Sequence, residues 1–139
     1  MAQVAILING SPTPRKTQLS ATLATVLGCP VLTPAKVQEV LVQQVGPVAP
    51  RAGVLKVADE ATWRTAGLVE AGIVIDAEWG QGDRTAVEAG LELAGSPRLV
   101  EVWCVGATEP LGLTPVVHVD TSGEVDMDAL VVEISALFV

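Results

Sequence analysis

A chain of 139 residues fits one domain, residues 1–139, with no room for a second. Half of it is hydrophobic, yet Gly, Pro or charge interrupts every apolar run before the roughly 18–20 residues of a bilayer crossing, so no membrane span is expected. Sixteen acidic residues against eight basic ones give a net charge of −8 and repel phosphodiester backbones, and Trp63, Trp79, Trp103 and Phe138 are too few for a stacking platform, which excludes nucleic acid as a partner.

The first element, Gln3 to Asn9, is a short β-branched apolar run ending at Gly10, and it reads as a buried strand. Thr17 to Leu27 carries Leu19, Leu23, Val26 and Leu27 at helical spacing, with Gly28 as a left-handed stop. Val31–Leu32 is a brief strand, after which Thr33 caps a helix with Pro34 in its first turn and Val37, Val40, Leu41 and Val45 along one face. Gly46 to Gly53 has turn chemistry and is expected to be a loop. Val54 to Leu68 follows as a helix, and Ile73 to Ala77 as a strand whose end carries Asp76 and Glu78. Thr85 to Ala94 is helical, Leu99 to Val105 is a strand, Val116 to Val119 is the last strand, and Asp126 caps a terminal helix. Such alternation predicts an α/β fold, a five-stranded parallel sheet with helices on both faces.

The N-terminus shows no secretory signal, which places the protein in the cytoplasm. Cys29 and Cys104 suit a reducing compartment, and a disulfide between them is left open. His118, the one histidine, has no close Cys or His companion, so a metal cage is not expected.

In open α/β sheets ligands sit beyond the carboxyl ends of the strands, which directs attention to Gly10-Ser11-Pro12-Thr13-Pro14-Arg15-Lys16-Thr17. Against the phosphate-cradling pattern G-x-x-x-x-G-K-[ST], Gly10, Lys16 and Thr17 match in spacing and context. Arg15 replaces the second glycine, where a left-handed backbone would cost about 1–2 kcal/mol of strain. Pro14 removes one N–H donor, worth about 1.5–3 kcal/mol if charge-assisted. Together these predict nucleotide binding weakened by roughly two orders of magnitude. Read without a ligand, the segment is a Pro-rich turn that caps a helix.

VAILINGSPTPRKTQLSATLATVLGCPVLT resembles the opening of small bacterial P-loop kinases of the predicted-kinase, chloramphenicol-phosphotransferase-like and zeta-toxin-like group, with their nucleoside-kinase-like P-loop NTPase fold. EVWCV and VDTSGEVDMDALVVEI are similar to the fourth strand and last helix of actinobacterial members. The resemblance implies a nucleotide or other phosphate-bearing small molecule as ligand, and Mg²⁺ with ATP or another nucleoside triphosphate. It assigns Gly10, Ser11, Arg15, Lys16 and Thr17 to phosphate and Thr17 with Asp76 to the metal. If active, the protein would be an ATP-dependent phosphotransferase. The chain departs from the group in having Ala35 where the substrate-activating aspartate stands, and no Lys or Arg follows Arg98 to arm a lid between Gly106 and Pro115. These departures favour a degenerate member that binds weakly or without catalysis. IDAEWGQGDRTAVEAGLELAG is also reminiscent of nucleoside deoxyribosyltransferase-like proteins, with Glu88 as nucleophile and Asp76 or Asp83 handling protons. A third expectation is a structural or dimerisation module without ligand, and a homodimer is left open.

Overall fold

The structure, a computed structural model, describes residues 4–105 and 109–137. Gln3 and Phe138, and the start of the expected lid at Gly106, lie outside the described residues.

Five strands run parallel: β1 (Val4–Gly10), β2 (Val31–Leu32), β3 (Ile73–Asp76), β4 (Arg98–Cys104) and β5 (Val116–Val119), in the spatial order β2-β3-β1-β4-β5. The helices are α1 (Pro14–Leu27), α2 (Pro34–Val45), α3 (Arg51–Ala66), α4 (Arg84–Leu93) and α5 (Met127–Ala136), and a single 3₁₀ turn, Gln81–Asp83, precedes α4. β1 lies at the centre, with Ile8 opposite Asp76 on β3 and Gly10 opposite Cys104 on β4.

The central strand is apolar from Val4 to Ile8 because both its faces are covered. Ile6 and Ile8 point to one side and join Leu19 and Leu23 of α1 and Leu130 and Ile134 of α5. Ala5 and Leu7 point to the other side and join Trp63 and Ala66 of α3 and Val87 of α4. The period of two along β1 therefore assigns its residues to two cores rather than to core and solvent. Among the described residues no helix is long and apolar enough to cross a membrane.

Two boundaries differ from the sequence expectation in a way that matters. Helix α1 opens at Pro14, not Thr17, because Thr13 caps it through Oγ1, which accepts from Lys16 N at 3.1 Å, and proline suits the first helical position. Helix α3 opens at Arg51, so the expected loop from Gly46 to Gly53 shrinks to the turn before it. Gly53 is accommodated in the first turn, where Val54 N already bonds Pro50 O at 3.1 Å. His118 is exposed, and its ring meets Trp103 edge-on with centroids 5.6 Å apart.

Candidate functional site

At the carboxyl end of β1 the chain must turn sharply. Gly10 does so at φ +126°, a conformation that suits glycine, and a Cβ there would run into the carbonyl of Cys104 on the neighbouring strand. Only Ser11, Pro12 and Thr13 separate this turn from α1. The early helix start commits the donors that a phosphate loop would keep free. Lys16 N is taken by Thr13 Oγ1, Thr17 N donates to Thr13 O at 3.1 Å, and Pro12 and Pro14 have no N–H. That leaves the amides of Ser11, Thr13 and Arg15. The strain expected at Arg15 is absent, since the residue lies in the first turn of α1 and Ser96 is the one non-glycine with positive φ among the described residues.

Lys16 faces inward and is 3% exposed. Its Nζ donates to Asp76 Oδ1 at 2.7 Å and to Ala77 O at 2.6 Å, joining the start of α1 to the end of β3. Both Lys16 and Asp76 line a cavity of about 490 Å³ beyond the strand ends, together with Thr17 from the exposed side of α1. Arg15 is elsewhere. Its Nη1 donates to Gly123 O at 3.1 Å, on the loop before α5, and it is absent from the cavity wall. Of the residues singled out in the loop, the structure thus gathers Lys16 and Thr17 with Asp76, leaves Gly10 and Ser11 at the turn, and separates Arg15.

The opposite wall of the cavity comes from α2 and α3. Ala35 stands there, as does Gln38, and α3 contributes Asp59. The Asp59 carboxyl is held above its usual range, first by burial and then by the like charge of Asp83, while a hydrogen bond from Gln38 acts in the other direction. Its Oδ1 is shielded from solvent and has no hydrogen-bond partner. Sequence reading passed over Asp59, because an acid inside an amphipathic helix has no local signature that marks it as facing a cavity.

A buried network supports this end of the sheet. Asn9, fully buried at the end of β1, donates from Nδ2 to Trp79 O at 2.7 Å and to Glu101 Oε2 at 2.9 Å, and its Oδ1 accepts from Trp79 N at 2.7 Å. Glu101 on β4, 1% exposed, also accepts from Leu111 N at 2.9 Å and Gly112 N at 3.0 Å. These bonds fix the segment after β3 and the one leading into β5. Trp79, positioned by Asn9, lines the cavity and stacks on Trp63, with centroids 5.5 Å apart and planes 19° from parallel. The only sign of this network in the sequence was a polar residue in each of two apolar strands.

Glu88 is exposed on α4 and absent from the cavity wall, whereas Asp76 and Asp83 both line it. Gly90, two residues beyond Glu88, is occupied by packing: a Cβ there would overlap the indole of Trp63. Cys104 lies buried under this end of the sheet, and its thiol is pushed up to about 11, chiefly by burial, with Lys16 lowering it and Asp76 raising it. Cys29 is shifted upward by burial as well, and both cysteines are free. Among the described residues no group of three or more His, Cys, Asp or Glu is placed to hold a metal ion by itself.

No protein-family model matches the chain, and a search of curated proteins gives no match. Among solved structures, the chain is similar to a "putative kinase" from Chloroflexus aurantiacus, at 20% sequence identity and a TM-score of 0.75, over 97% of this chain and 94% of that one. At this identity the likeness is one of fold. The chain has a kinase-like α/β fold with a five-stranded parallel sheet.

Proposed function

We propose that the chain is a degenerate P-loop kinase-like protein that binds a nucleoside triphosphate, or another phosphate-bearing small molecule, at Lys16, weakly and without phosphoryl transfer. The observation that carries this reading is the position of Lys16 Nζ, held at the tip of the central sheet by Asp76 and Ala77 at the wall of a 490 Å³ cavity. A phosphate oxygen entering that cavity competes with Asp76 for the ammonium group, since both make charge-assisted bonds of similar geometry. Thr17 and Asp76 both line the same cavity and carry the oxygen donors that suit a hard cation such as Mg²⁺. With too few protein carboxylates gathered to bind the ion alone, the remaining ligands would be phosphate and water. Bound there, the ion supplies positive charge against the phosphates, in a cavity that also holds Asp59, Glu78 and Asp83.

Weak binding follows from the donors of the loop. Of the N–H groups from Ser11 to Thr17, two are committed to Thr13 and two positions are proline, and Arg15 is spent on Gly123. Absence of transfer follows from Ala35 at the position of the expected base and from the lack of any Lys or Arg after Arg98. Asp59 lines the same cavity, with its Oδ1 shielded from solvent.

Calorimetry with ATP, GTP and their diphosphates, with and without Mg²⁺, tests this on the native chain and on a variant carrying Thr13→Gly, Pro14→Ser and Arg15→Gly. The native chain should bind triphosphate only with Mg²⁺, and the variant about tenfold or more tightly. No heat with either form would assign the loop a structural role. Turnover at the about 1–100 s⁻¹ of ordinary kinases would contradict the noncatalytic reading.

A further inference from the structure

Lys16 is held by two contacts of different kinds. Ala77 is buried and its N–H donates to Ile8 O at 3.0 Å, so the carbonyl that accepts from Nζ at 2.6 Å belongs to the framework of the sheet. The second contact, at 2.7 Å, is with the Asp76 carboxylate, which a change of side-chain rotamer removes. One contact is fixed and the other is movable. An ammonium group has three N–H donors, so together they leave it one.

The contacts also differ in charge. The carbonyl is neutral and leaves the lysine cationic, whereas Asp76 cancels its charge. Among the described residues that line the cavity Lys16 is the one base, so with the pair cancelled Asp59, Glu78 and Asp83 leave the lining acidic. An anion is then repelled. The side chain of Asp76 is 13% exposed and that of Lys16 3%, which makes the carboxylate the member of the pair that a solute reaches first.

We propose that Asp76 is an internal counter-ion that locks Lys16 against anions, and that the metal requirement of the site arises from undoing this lock. Asp76 releases Lys16 when its carboxylate turns to a divalent cation instead, and the charge of the lysine returns to the cavity. Ala77 O keeps Nζ at the strand tip throughout, so the lysine need not travel. The phosphate oxygen then replaces one charge-assisted bond with another. The inference rests on the reading of Lys16 as the anion site and adds an order to it, cation with or before phosphate. It makes Asp76 inhibitory toward a metal-free anion, the opposite of what a residue serving only as a metal ligand would be.

Calorimetry with inorganic triphosphate and with ATP, in EDTA and in Mg²⁺, separates the two roles of Asp76. In EDTA, Asp76→Asn should bind both anions at least about tenfold more tightly than the native chain. Mg²⁺ should tighten binding by the native chain and change that of Asp76→Asn little. Asp76→Asn combined with Lys16→Met should lose the metal-free binding. Asp76→Ala repeats the test with no side-chain acceptor left for Nζ, and circular dichroism checks that each variant is folded. A second readout needs no nucleotide: in the native chain reductive methylation followed by mass spectrometry should modify Lys16 more slowly than the exposed Lys36 and Lys56, and Asp76→Asn should speed Lys16 alone. If the native chain binds MgATP while neither Asp76 variant gains metal-free binding, the lock is overturned and the reading of Lys16 stands. Absence of binding by every form in both media overturns the two together.

Discussion

Two acids at this end of the sheet, Glu101 and Asp59, play opposite parts. Glu101 is nearly inaccessible but accepts three hydrogen bonds from neutral donors, two of them backbone amides of the segment leading to β5. Replacing it by Gln turns one acceptor into a donor facing other donors, and Glu101→Gln should cost about 1–3 kcal/mol in chemical denaturation. Equal stability of variant and native chain would show that the segment needs no such tie. Asp59, by contrast, has an oxygen without a partner, and its carboxyl is raised above the ordinary 3.8 by burial and by Asp83. The folded state therefore holds this proton more tightly than the unfolded chain. Stability contributed by the group is present at low pH and declines as pH rises from about 3.8 through the folded value. At pH 7 Asp59→Asn should melt about 1–3 °C higher than the native chain, with the advantage shrinking as pH falls toward 4. A difference that grows on acidification would contradict the sign.

At the scale of elements, the strands and most helices were legible because their signals are local. β1, β3, β4 and β5 are short apolar runs bounded by glycine or charge, and the 3.6 period marks α4 and α5. Helix α1 was misplaced at its start for an instructive reason. The phosphate-loop register sets the helix at Thr17, whereas Thr13 and Pro14 form a cap that wins locally, and the difference removes the strain at Arg15 and commits two of the loop's five amides. Long-range pairs were only partly visible. Asp76 was expected near the loop because the fold places it there, but the Asn9–Glu101–Trp79 network joins residues 70 or more positions apart and has no periodicity to reveal it. Gly90 makes the same point, since a glycine that resembled part of a nucleophile motif is kept small by Trp63. Gly90→Ala should destabilise by about 1–3 kcal/mol through overpacking, despite the better helix propensity of alanine, as followed by thermal melting. A more stable variant would show that α4 can move away from Trp63 without loss.

For the whole molecule, the fold and the charge distribution pull in different directions. The parallel sheet brings Lys16, Thr17 and Asp76 to one cavity, as the order of elements predicts. Yet a net charge of −8, with Asp59, Glu78 and Asp83 around that cavity, opposes an anionic ligand, so under the proposed function its capture would fall to Lys16 and an accompanying cation.

The most direct measurement is the heat of MgATP binding to the native chain and to Lys16→Met, made where both are shown to be folded. The account predicts a Mg²⁺-dependent signal that Lys16→Met abolishes. Equal binding by the two forms would contradict it.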